Sequence, residues 1–298
     1  MGPPSSGKTS VAGKGQAPGR IKPGVELHGF LSNLLEQRWR KYRKAFKRCR
    51  RDFSDETLHE WRIETRRMLA LLGLLHPFHP DSLGDLEPLL KKLFKKSAPL
   101  RDAQVQLETV EKHLRACPAL KEFQRWLERY GDRLAGKFES RIAEGLTPNL
   151  KKSVCRLEKW FRQWLKKKAA LEGKHVLVVE RGVATAHAKV REARRAVKQD
   201  EPETIHRVRI AFKAYRYMVE TLAPVLVGAD EKLLEQMRSY QTCMGEIQDA
   251  EVLLAMLRKF EQEYKTVGMD AFRSDMQARL RKSVKIFLKT PLPALAKN

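Results

Sequence analysis

Two segments of the chain place histidine, arginine and lysine at the same spacing. Thr57–Pro77 reads TLHEWRIETRRMLALLGLLHP, and Thr204–Pro224 reads TIHRVRIAFKAYRYMVETLAP. Positions i, i+3 and i+7, which share one face of a helix, are basic in both: His59, Arg62 and Arg66, and His206, Arg209 and Lys213. Arginine can engage two oxygens of an anion with its planar guanidinium, and lysine adds a mobile point charge. The spacing therefore predicts two cationic helix faces that suit phosphate groups.

The opposite face of each predicted helix is apolar. It carries Leu58, Trp61, Met68, Leu72 and Leu75 in the first segment, and Ile205, Val208, Tyr215, Val219 and Leu222 in the second. An apolar stripe of this kind packs against a core, so both helices are predicted to be amphipathic. A charged face on a single helix is most often only solvated, but its recurrence in both segments favours a bound anion.

A constant offset relates more than these two segments. His59 and His206 are 147 positions apart, and so are Asp102 and Asp249, which lie in the segments APLRDAQVQLETV and GEIQDAEVLLAML. Two separate matches with one offset and no net gap indicate that the chain is an internally duplicated unit.

A second basic stripe is predicted on the helix that precedes each segment. Apolar residues recur at three- and four-residue spacing in Val25–Arg51, which predicts a helix, and Glu172–Lys198 aligns with it. The basic positions i, i+3, i+4 and i+7 are Lys44, Lys47, Arg48 and Arg51, and Arg191, Arg194, Arg195 and Lys198. Like charges on one face destabilise an isolated helix, so this recurrence also favours an anionic ligand.

The overall charge predicts a polyanionic partner. The 298 residues carry a formal net charge of +24, and 42% are hydrophobic, which is a globular composition. Self-repulsion at this charge destabilises a compact state, so nucleic acid, inorganic polyphosphate and an anionic membrane surface are candidate partners. No apolar run approaches the roughly 18 residues of a membrane span. Four scattered cysteines without a CxxC motif predict reduced thiols in a cytoplasmic protein.

Helical periodicity over most of the chain predicts an all-α fold, built as two pseudo-symmetric helical bundles of the four-helix type. The first half spans residues 25–145, a linking helix 149–170, and the second half 172–290. Apart from the helices described above, the predicted helices are Leu83–Lys96, Pro99–Ala116 and Pro118–Glu144, then 230–244, 246–264 and 268–289. Ser54 or Asp55 is the predicted cap of the helix that carries His59.

Residues 1–24 are rich in Gly, Pro, Ser and Lys and are predicted to be a disordered basic tail. Gly2, Gly7, Lys8 and Thr9 match the phosphate-binding loop pattern literally. That motif needs a buried strand before the loop and a helix after it, and the flanking residues predict neither, so we expect no nucleotide site there. The tail carries four cations and no acid, so the rest of the chain keeps +20 of the +24.

Taken together, these motifs resemble the CHAD family, the conserved histidine α-helical domain. The family pattern is H-x-x-R-[VI]-x-x-[RK] followed by a helix with R-D-A or x-D-A, and the match covers roughly residues 25–290. The matching residues are His59, Arg62, Ile63, Arg66, Arg101, Asp102 and Ala103, and His206, Arg209, Ile210, Lys213, Gln248, Asp249 and Ala250. The halves differ at two positions: Gln248 stands where Arg101 does, and Ala214 where Arg67 does, so we expect the second half to bind less tightly.

The resemblance implies non-catalytic binding of inorganic polyphosphate in a basic groove or pore shared by the two halves. The candidate ligand residues are Lys44, Lys47, Arg48, Arg51, His59, Arg62, Arg66, Lys91, Arg101, Arg191, Arg194, Arg195, Lys198, His206, Arg209, Lys213, Arg216 and Arg238. Asp102 and Asp249 are expected to hold an arginine or a histidine in position. No E-x-E-x-K strand of the hydrolase domain that often accompanies the family is present, so no catalysis and no cofactor are expected. The expected location is cytoplasmic, with polyphosphate granules as a candidate site.

Two other interpretations of the basic residues stay open, as does the oligomeric state. His28, His59, His175 and His206 could form a metal site, but a zinc site needs converging ligands and nothing in their spacing brings these four together. Binding of DNA or RNA fits the charge equally well, because phosphate contacts dominate affinity there. No helix-turn-helix, zinc finger or RNP-like motif is present, so nucleic acid is the alternative partner.

Overall fold

The structure is a computed structural model that describes residues 19–78, 86–144, 156, 159, 172–201, 203–264 and 268–295. The helices are α1 (Leu27–Arg51), α2 (Asp55–Leu75) with a short 3₁₀ turn after it (His76–Phe78), α3 (Leu86–Lys96), α4 (Ala98–His113), α5 (Leu120–Glu144), α6 (Glu172–Arg195), α7 (Glu203–Leu222), α8 (Glu231–Tyr264) and α9 (Asp270–Lys289). The fold is all-α, as predicted, and within these ranges only two isolated bridges form extended pairings. The predicted linking helix, 149–170, lies outside the described residues apart from Arg156 and Lys159. In the same ranges no helix is both long enough and apolar enough to cross a membrane.

The predicted apolar faces of α2 and α7 form part of the core. All the predicted positions are buried: Leu58, Trp61, Met68, Leu72 and Leu75, and Ile205, Val208, Tyr215, Val219 and Leu222. Ser54 caps α2, as predicted. Its hydroxyl accepts a hydrogen bond from the backbone N–H of Thr57, and the Thr57 hydroxyl accepts one from the backbone N–H of Ser54. This reciprocal capping box fixes the start of the helix that carries the basic face.

The prediction of two helices over residues 230–244 and 246–264 is wrong, because one continuous helix, α8, covers both. In the first half the corresponding stretch breaks at Ser97, between α3 and α4, and Pro99 lies in the first turn of α4. Proline has no N–H and its ring clashes with the preceding turn, so it ends the helix before it. The equivalent position is Glu246, which permits a helix of 34 residues, about 50 Å long.

Each of three helices packs against its own counterpart in the other half. α2 contacts α7, α4 contacts α8, and α1 contacts α6. The local pairs repeat as well: α1 with α2 and α6 with α7, then α4 with α5 and α8 with α9. His28 of α1 and His175 of α6, which the repeat makes equivalent, stack with their ring centroids 6.0 Å apart. These contacts join helices that occupy matching places in the sequence repeat, and they set the basic helices α2 and α7 side by side.

The two halves share two hydrophobic cores. The larger core joins buried residues of α1, α2 and α3 to residues of α6, α7 and the first half of α8. The smaller core joins Phe123 and Trp126 of α5 to Leu257 of α8 and Phe272 of α9. Because α8 contributes to both cores, the halves interlock.

The predicted tail ends earlier than residue 24. Ile21 is buried in the larger core. Backbone hydrogen bonds of 2.8 Å pair its two neighbours in the chain with Val225 and Val227. A buried side chain flanked by backbone pairing is a docked segment, so residues 19–24 belong to the fold. Residues 1–18, including the match to the phosphate-binding loop, lie outside the described residues.

We expect removal of residues 1–24 to destabilise the fold, whereas removal of residues 1–18 keeps every contact described here and leaves stability unchanged. Loss of Ile21 removes a buried aliphatic side chain worth about 1.5–3 kcal/mol, and its neighbours' backbone hydrogen bonds are lost with it. Urea unfolding followed by circular dichroism measures the effect as a lower midpoint for the longer truncation. Equal midpoints for the two truncated proteins would contradict the docked position of Ile21.

Candidate functional site

Basic residues of α2 and α7 meet where the two helices pack together. The charges of Arg62 and Arg66 on α2 act directly on Arg209 and Lys213 of α7. Helix α4 adds one arginine and one aspartate to this group, and α8 adds one aspartate. We call these side chains the interface cluster: Arg62, Arg66, Arg101, Asp102, Arg209, Lys213 and Asp249. The structure therefore brings predicted residues of both halves into one place.

Arg62 is fixed by the first half of the protein. The residue is only 5% exposed, and its Nη1 donates to the carbonyl of Phe94 at 3.2 Å and to Oγ of Ser97. Its guanidinium carbon lies 4.4 Å from the centre of the Phe94 ring, which is a cation–π contact. Burial, and then the charge of Arg66, lower the pKa of Arg62 to about 9, so it stays charged at neutral pH. Arg62 is thus a positive charge whose position is set without a ligand.

Arg209, the equivalent of Arg62, is held less firmly. Its Nε–H is buried and has no hydrogen-bond partner among the residues that the structure describes. The acceptors of Arg62 come from the end of α3, where the helix break leaves a carbonyl and the Ser97 hydroxyl available. The equivalent stretch lies inside the continuous α8, and Met244 replaces the serine. A buried donor without a partner is costly, so Arg209 has hydrogen-bonding capacity that an anion can use.

Asp102 and Asp249 lie among the cations of both halves. Burial raises the pKa of Asp102, and the charges of Arg62 and Arg209 oppose this shift. Burial also raises the pKa of Asp249, and Arg209 is the strongest opposing charge there. This placement fits the expected role of holding arginines in position. The interface cluster contains five basic side chains and two carboxylates, and Glu108 pairs with one of the five, Arg101, so basic groups are in excess.

Lys213 is the one basic residue of the interface cluster that can exchange a proton near neutral pH. It is partly buried and feels Arg209 from its own helix, Arg66 and Arg62 from α2, and Asp249 from α8. Burial, and then the repulsion of the three arginines, lower the pKa of Lys213 to about 6. A guanidinium keeps its proton in this range, whereas an ammonium can release it. In the free protein Lys213 is therefore mainly a neutral amine at neutral pH.

The two predicted histidines have different neighbours. Nδ1–H of His206 donates to Oε1 of Gln248, the residue that replaces Arg101. His206 and Gln248 also line a cavity of about 760 Å³ between α7, α8 and α9. Partial burial, and then the charges of Arg101 and Arg66, lower the pKa of His59. Because nearby arginines disfavour its protonation, His59 gains charge more readily once an anion offsets them.

The predicted stripes on α1 and α6 are exposed basic surfaces. Six of their eight residues are exposed to solvent: Lys44, Lys47, Arg51, Arg191, Arg195 and Lys198. No described contact joins these six side chains to the interface cluster. The stripes therefore carry exposed positive charge outside the interface cluster.

Besides Arg216, which is described below, five predicted ligand residues form ion pairs with neighbouring carboxylates. The pairs are Lys91 with Glu87, Arg48 with Glu56 and Glu60, Arg101 with Glu108, Lys198 with Glu201, and Arg238 with Glu231 and Glu235. Solvent-exposed pairs of this kind contribute little to stability. Nearby carboxylates already partly neutralise these cations, so they are weaker candidates for binding an anion.

Two predicted ligand residues serve the fold. Nη2 of Arg194 donates to the carbonyls of Phe287 and Leu288 at 2.9 and 2.8 Å, so it satisfies the carboxyl end of α9. Arg216 is buried and forms an ion pair of 3.2 Å with Glu220 on its own helix. The sequence repeat did not predict these contacts. The residues that Arg194 and Arg216 contact have no counterpart of the same type in the first half.

The sequence pattern missed Phe94 and Ser97, which hold Arg62. A serine followed by Ala98-Pro99 at a predicted helix end does signal a break with unsatisfied carbonyls. That signal could have identified an acceptor. It could not have identified the donor, because 35 positions separate Arg62 from Ser97.

The histidines considered as metal ligands are dispersed. His28 and His175 stack on each other at the contact of α1 with α6, while His59 and His206 have the separate neighbours described above. In the part of the chain that the structure describes, no group of three or more His, Cys, Asp or Glu side chains is placed to hold a metal ion.

The chain matches a known family and a solved structure. The family model for the CHAD domain matches residues 11–86 and 33–258. A crystal structure of the CHAD domain from the plant Ricinus communis is similar with a TM-score of 0.67 and 18% sequence identity, over 94% of this chain and 97% of that chain. At this identity the likeness shows the fold alone, and a comparison with curated proteins gave no match. Because the family model covers most of its length, the chain belongs to the CHAD domain family.

Proposed function

We propose that the protein binds inorganic polyphosphate without catalysis, at the interface cluster and on the basic surface around it. The observation that carries the proposal is that Arg62, Arg66, Arg209 and Lys213, two from each half, meet with too few carboxylates to neutralise them. Membership in the CHAD domain family supports this choice of ligand. We expect the protein in the cytoplasm, with polyphosphate granules as its candidate location.

The free interface cluster is electrostatically unfavourable. Its cations repel one another in a partly buried place, where charges are screened less than at the surface. Burial is the largest cause of the lowered pKa values of Arg62, Arg209 and Lys213, and for Arg62 and Lys213 the repulsion of neighbouring arginines comes next. An anion removes this repulsion and offers Arg209 the acceptor that it lacks. The site is therefore more stable occupied than empty.

A long polyanion suits this site better than a single phosphate. Polyphosphate is a flexible string of phosphates without bases, so it offers only charge and geometry to a protein. One chain can contact the interface cluster and then continue over the exposed stripes of α1 and α6. Each additional contact on the same chain is intramolecular, which raises the overall affinity.

The two halves contribute differently to the proposed site. Arg62 already donates to Phe94 and Ser97, so its hydrogen bonds to a ligand are fewer. Arg209 has a free buried donor, and Lys213 can gain a proton as the anion arrives. We therefore infer that the second half supplies the stronger direct contacts, which reverses the expectation drawn from Gln248 and Ala214.

Titration with four ligands tests the proposal. We expect long-chain polyphosphate to bind on the order of a hundredfold or more tightly than ATP or orthophosphate, because many phosphates are engaged by one connected surface. The affinity should fall steeply with salt as counterions are released. Calorimetry at several salt concentrations measures both effects.

Two outcomes decide against the proposal. Equal affinity for ATP and for long-chain polyphosphate would mean that no extended site exists. Tighter binding of duplex DNA than of polyphosphate, at equal phosphate concentration, would favour nucleic acid as the partner.

A further inference from the structure

We propose that the cavity between α7, α8 and α9 binds a short apolar peptide whose two termini are both free. The peptide's ammonium group contacts Glu251, its carboxylate contacts Arg258, and its side chains pack on the apolar residues of the same cavity. The inference goes beyond the proposed function and does not rest on it, because no residue of the interface cluster lines this cavity.

Unpaired charges of both signs line the cavity. Glu203 and Glu251 are its acidic residues, and Arg258 and Arg281 are basic residues of the same lining. None of these four forms an ion pair with any residue that the structure describes, whereas Arg273, the third arginine of the lining, is already paired with two carboxylates. The four charges do not reach one another across the cavity. A ligand that carries both an ammonium group and a carboxylate can satisfy both signs at once.

The spacing along α8 sets the length of the ligand. Glu251 and Arg258 are seven residues apart, so they lie on one face of the helix, about 10 Å apart along its axis. An extended peptide of three residues spans about 10 Å. Its two charged ends therefore match the separation of these two side chains.

The lining between the charged ends suits a peptide with apolar side chains. Val252 and Leu254 of α8 and Leu280 of α9 supply apolar surface. The Oε1 atom of Gln248 already accepts a hydrogen bond from His206, which leaves the amide N–H groups of Gln248 as donors for a peptide carbonyl. Largely apolar walls with a few polar groups are typical of small-molecule sites, and the volume of about 760 Å³ lies within their range.

A departure from the sequence repeat opens part of this space. In the first half Arg101 and Glu108 form an ion pair of 3.7 Å. Gln248 and Ala255 occupy the equivalent positions in the second half, and both line the cavity. The shorter side chains fill less space than the ion pair does. The second half therefore has room for a ligand at a place where the first half holds its own side chains.

The carboxylates distinguish this cavity from a phosphate site. Burial, and then the charge of Glu203, raise the pKa of Glu251. A phosphate would add to the repulsion between these acids, whereas an ammonium group offsets it. The charges of the cavity thus favour a peptide with two free termini over a polyanion.

Trileucine is the probe for the experiment, and calorimetric titration of the full-length protein at neutral pH measures its affinity. We expect N-acetyl-trileucine and trileucine amide each to bind at least about tenfold less tightly than trileucine, because each lacks one charge-assisted contact. Glu251→Gln should weaken trileucine by a similar factor and leave the affinity of the acetylated peptide unchanged. Arg258→Gln should weaken trileucine and leave the affinity of the amide unchanged. Such pairing of a residue with one end of the ligand is what a double-mutant cycle detects.

Two further variants complete the design. Ala255→Phe places a ring in the cavity and should abolish trileucine binding, while circular dichroism shows that the variant is folded. Arg207→Gln is the matched control, because Arg207 is exposed on α7 and does not line the cavity. We expect it to bind trileucine as the unaltered protein does.

Several results would overturn the inference. It fails if trileucine does not bind, if the two blocked peptides bind as tightly as trileucine, or if folded Ala255→Phe binds trileucine normally. Inorganic triphosphate should leave the peptide bound, and displacement of the peptide would identify the cavity as a phosphate site instead. Glu251→Gln and Ala255→Phe should keep the affinity of the unaltered protein for long-chain polyphosphate, so failure of this inference and failure of the proposed function are separate results.

Discussion

Replacing Arg66, Arg209 and Lys213 together by alanine is expected to lower the affinity for long-chain polyphosphate roughly a thousandfold, since three charge-assisted contacts of about 1.5 kcal/mol each are lost. Arg66→Ala alone, and Arg209→Ala with Lys213→Ala, should each cost less. The combined loss should be the largest because the ligand then keeps no strong anchor in either half. Calorimetric titration at fixed salt concentration measures the affinities.

Arg62 stays in place in this design because it also serves the fold. Its removal would leave the Phe94 carbonyl and the Ser97 hydroxyl without their donor, and the resulting destabilisation would be confused with lost binding. Circular dichroism should show that the triple variant is folded.

A matched control distinguishes the contribution of the interface cluster to affinity from the contribution of the protein's net charge. Arg125, Arg279 and Lys285 are exposed on α5 and α9, and their replacement by alanine removes the same number of basic side chains. We expect this control to lose only a small part of the affinity. If it lost as much as the triple variant, long-range charge and not the interface cluster would explain binding.

Raising the pH from 6 to 8 is expected to weaken polyphosphate binding roughly fiftyfold, because binding needs Lys213 protonated and the protonated share of the free protein falls from about half to about one hundredth. Affinity falls with rising pH because the pKa of Lys213 is lower in the free protein than in the complex. In the free protein the pKa of Lys213 is lowered to about 6, and a bound polyanion favours the ammonium form and raises it again. Binding therefore takes up a proton, and affinity falls as the pH rises above 6.

The groups that face Lys213 determine how this experiment is controlled. The three residues of α2 and α7 that face it are arginines, and a guanidinium does not exchange its proton in this range. Asp102 and Asp249 have raised pKa values, so Lys213→Arg is the decisive variant, because it keeps the positive charge and removes the proton exchange. We expect its affinity to change little with pH. Calorimetry in two buffers of different ionisation enthalpy counts the protons taken up, and an unchanged slope in the variant would assign the effect to other groups, His59 among them.

The sequence alone predicted helices α2 and α7, and its longer list of candidate residues includes those of the interface cluster. Helical spacing assigned the basic and apolar faces of α2 and α7 correctly, since burial follows periodicity. The constant offset predicted that equivalent residues come from two similar halves. The interface cluster follows from these two signals once equivalent helices pack together, because Arg62 and Arg209 then approach each other across the contact.

What the sequence did not predict depends on contacts between distant positions. Nothing local marks Arg194 as the residue that satisfies the end of α9, since 93 positions separate it from Phe287. The composition around Ile21 is typical of a disordered tail. Ile21 is nevertheless buried, because its neighbours in the chain pair with the backbone at Val225 and Val227. The composition of a short stretch does not show which distant residues it packs against.

Helix α8 has a consequence for the modularity of this protein. The sequence repeats as two halves, but α8 runs through both hydrophobic cores, and Phe123 and Trp126 of the first half pack with residues of the second. A half expressed alone would expose the apolar surface that the other half covers. The repeating unit is therefore not an autonomous folding unit, and one half cannot be exchanged between related proteins unless the matching surfaces of the other half are exchanged with it.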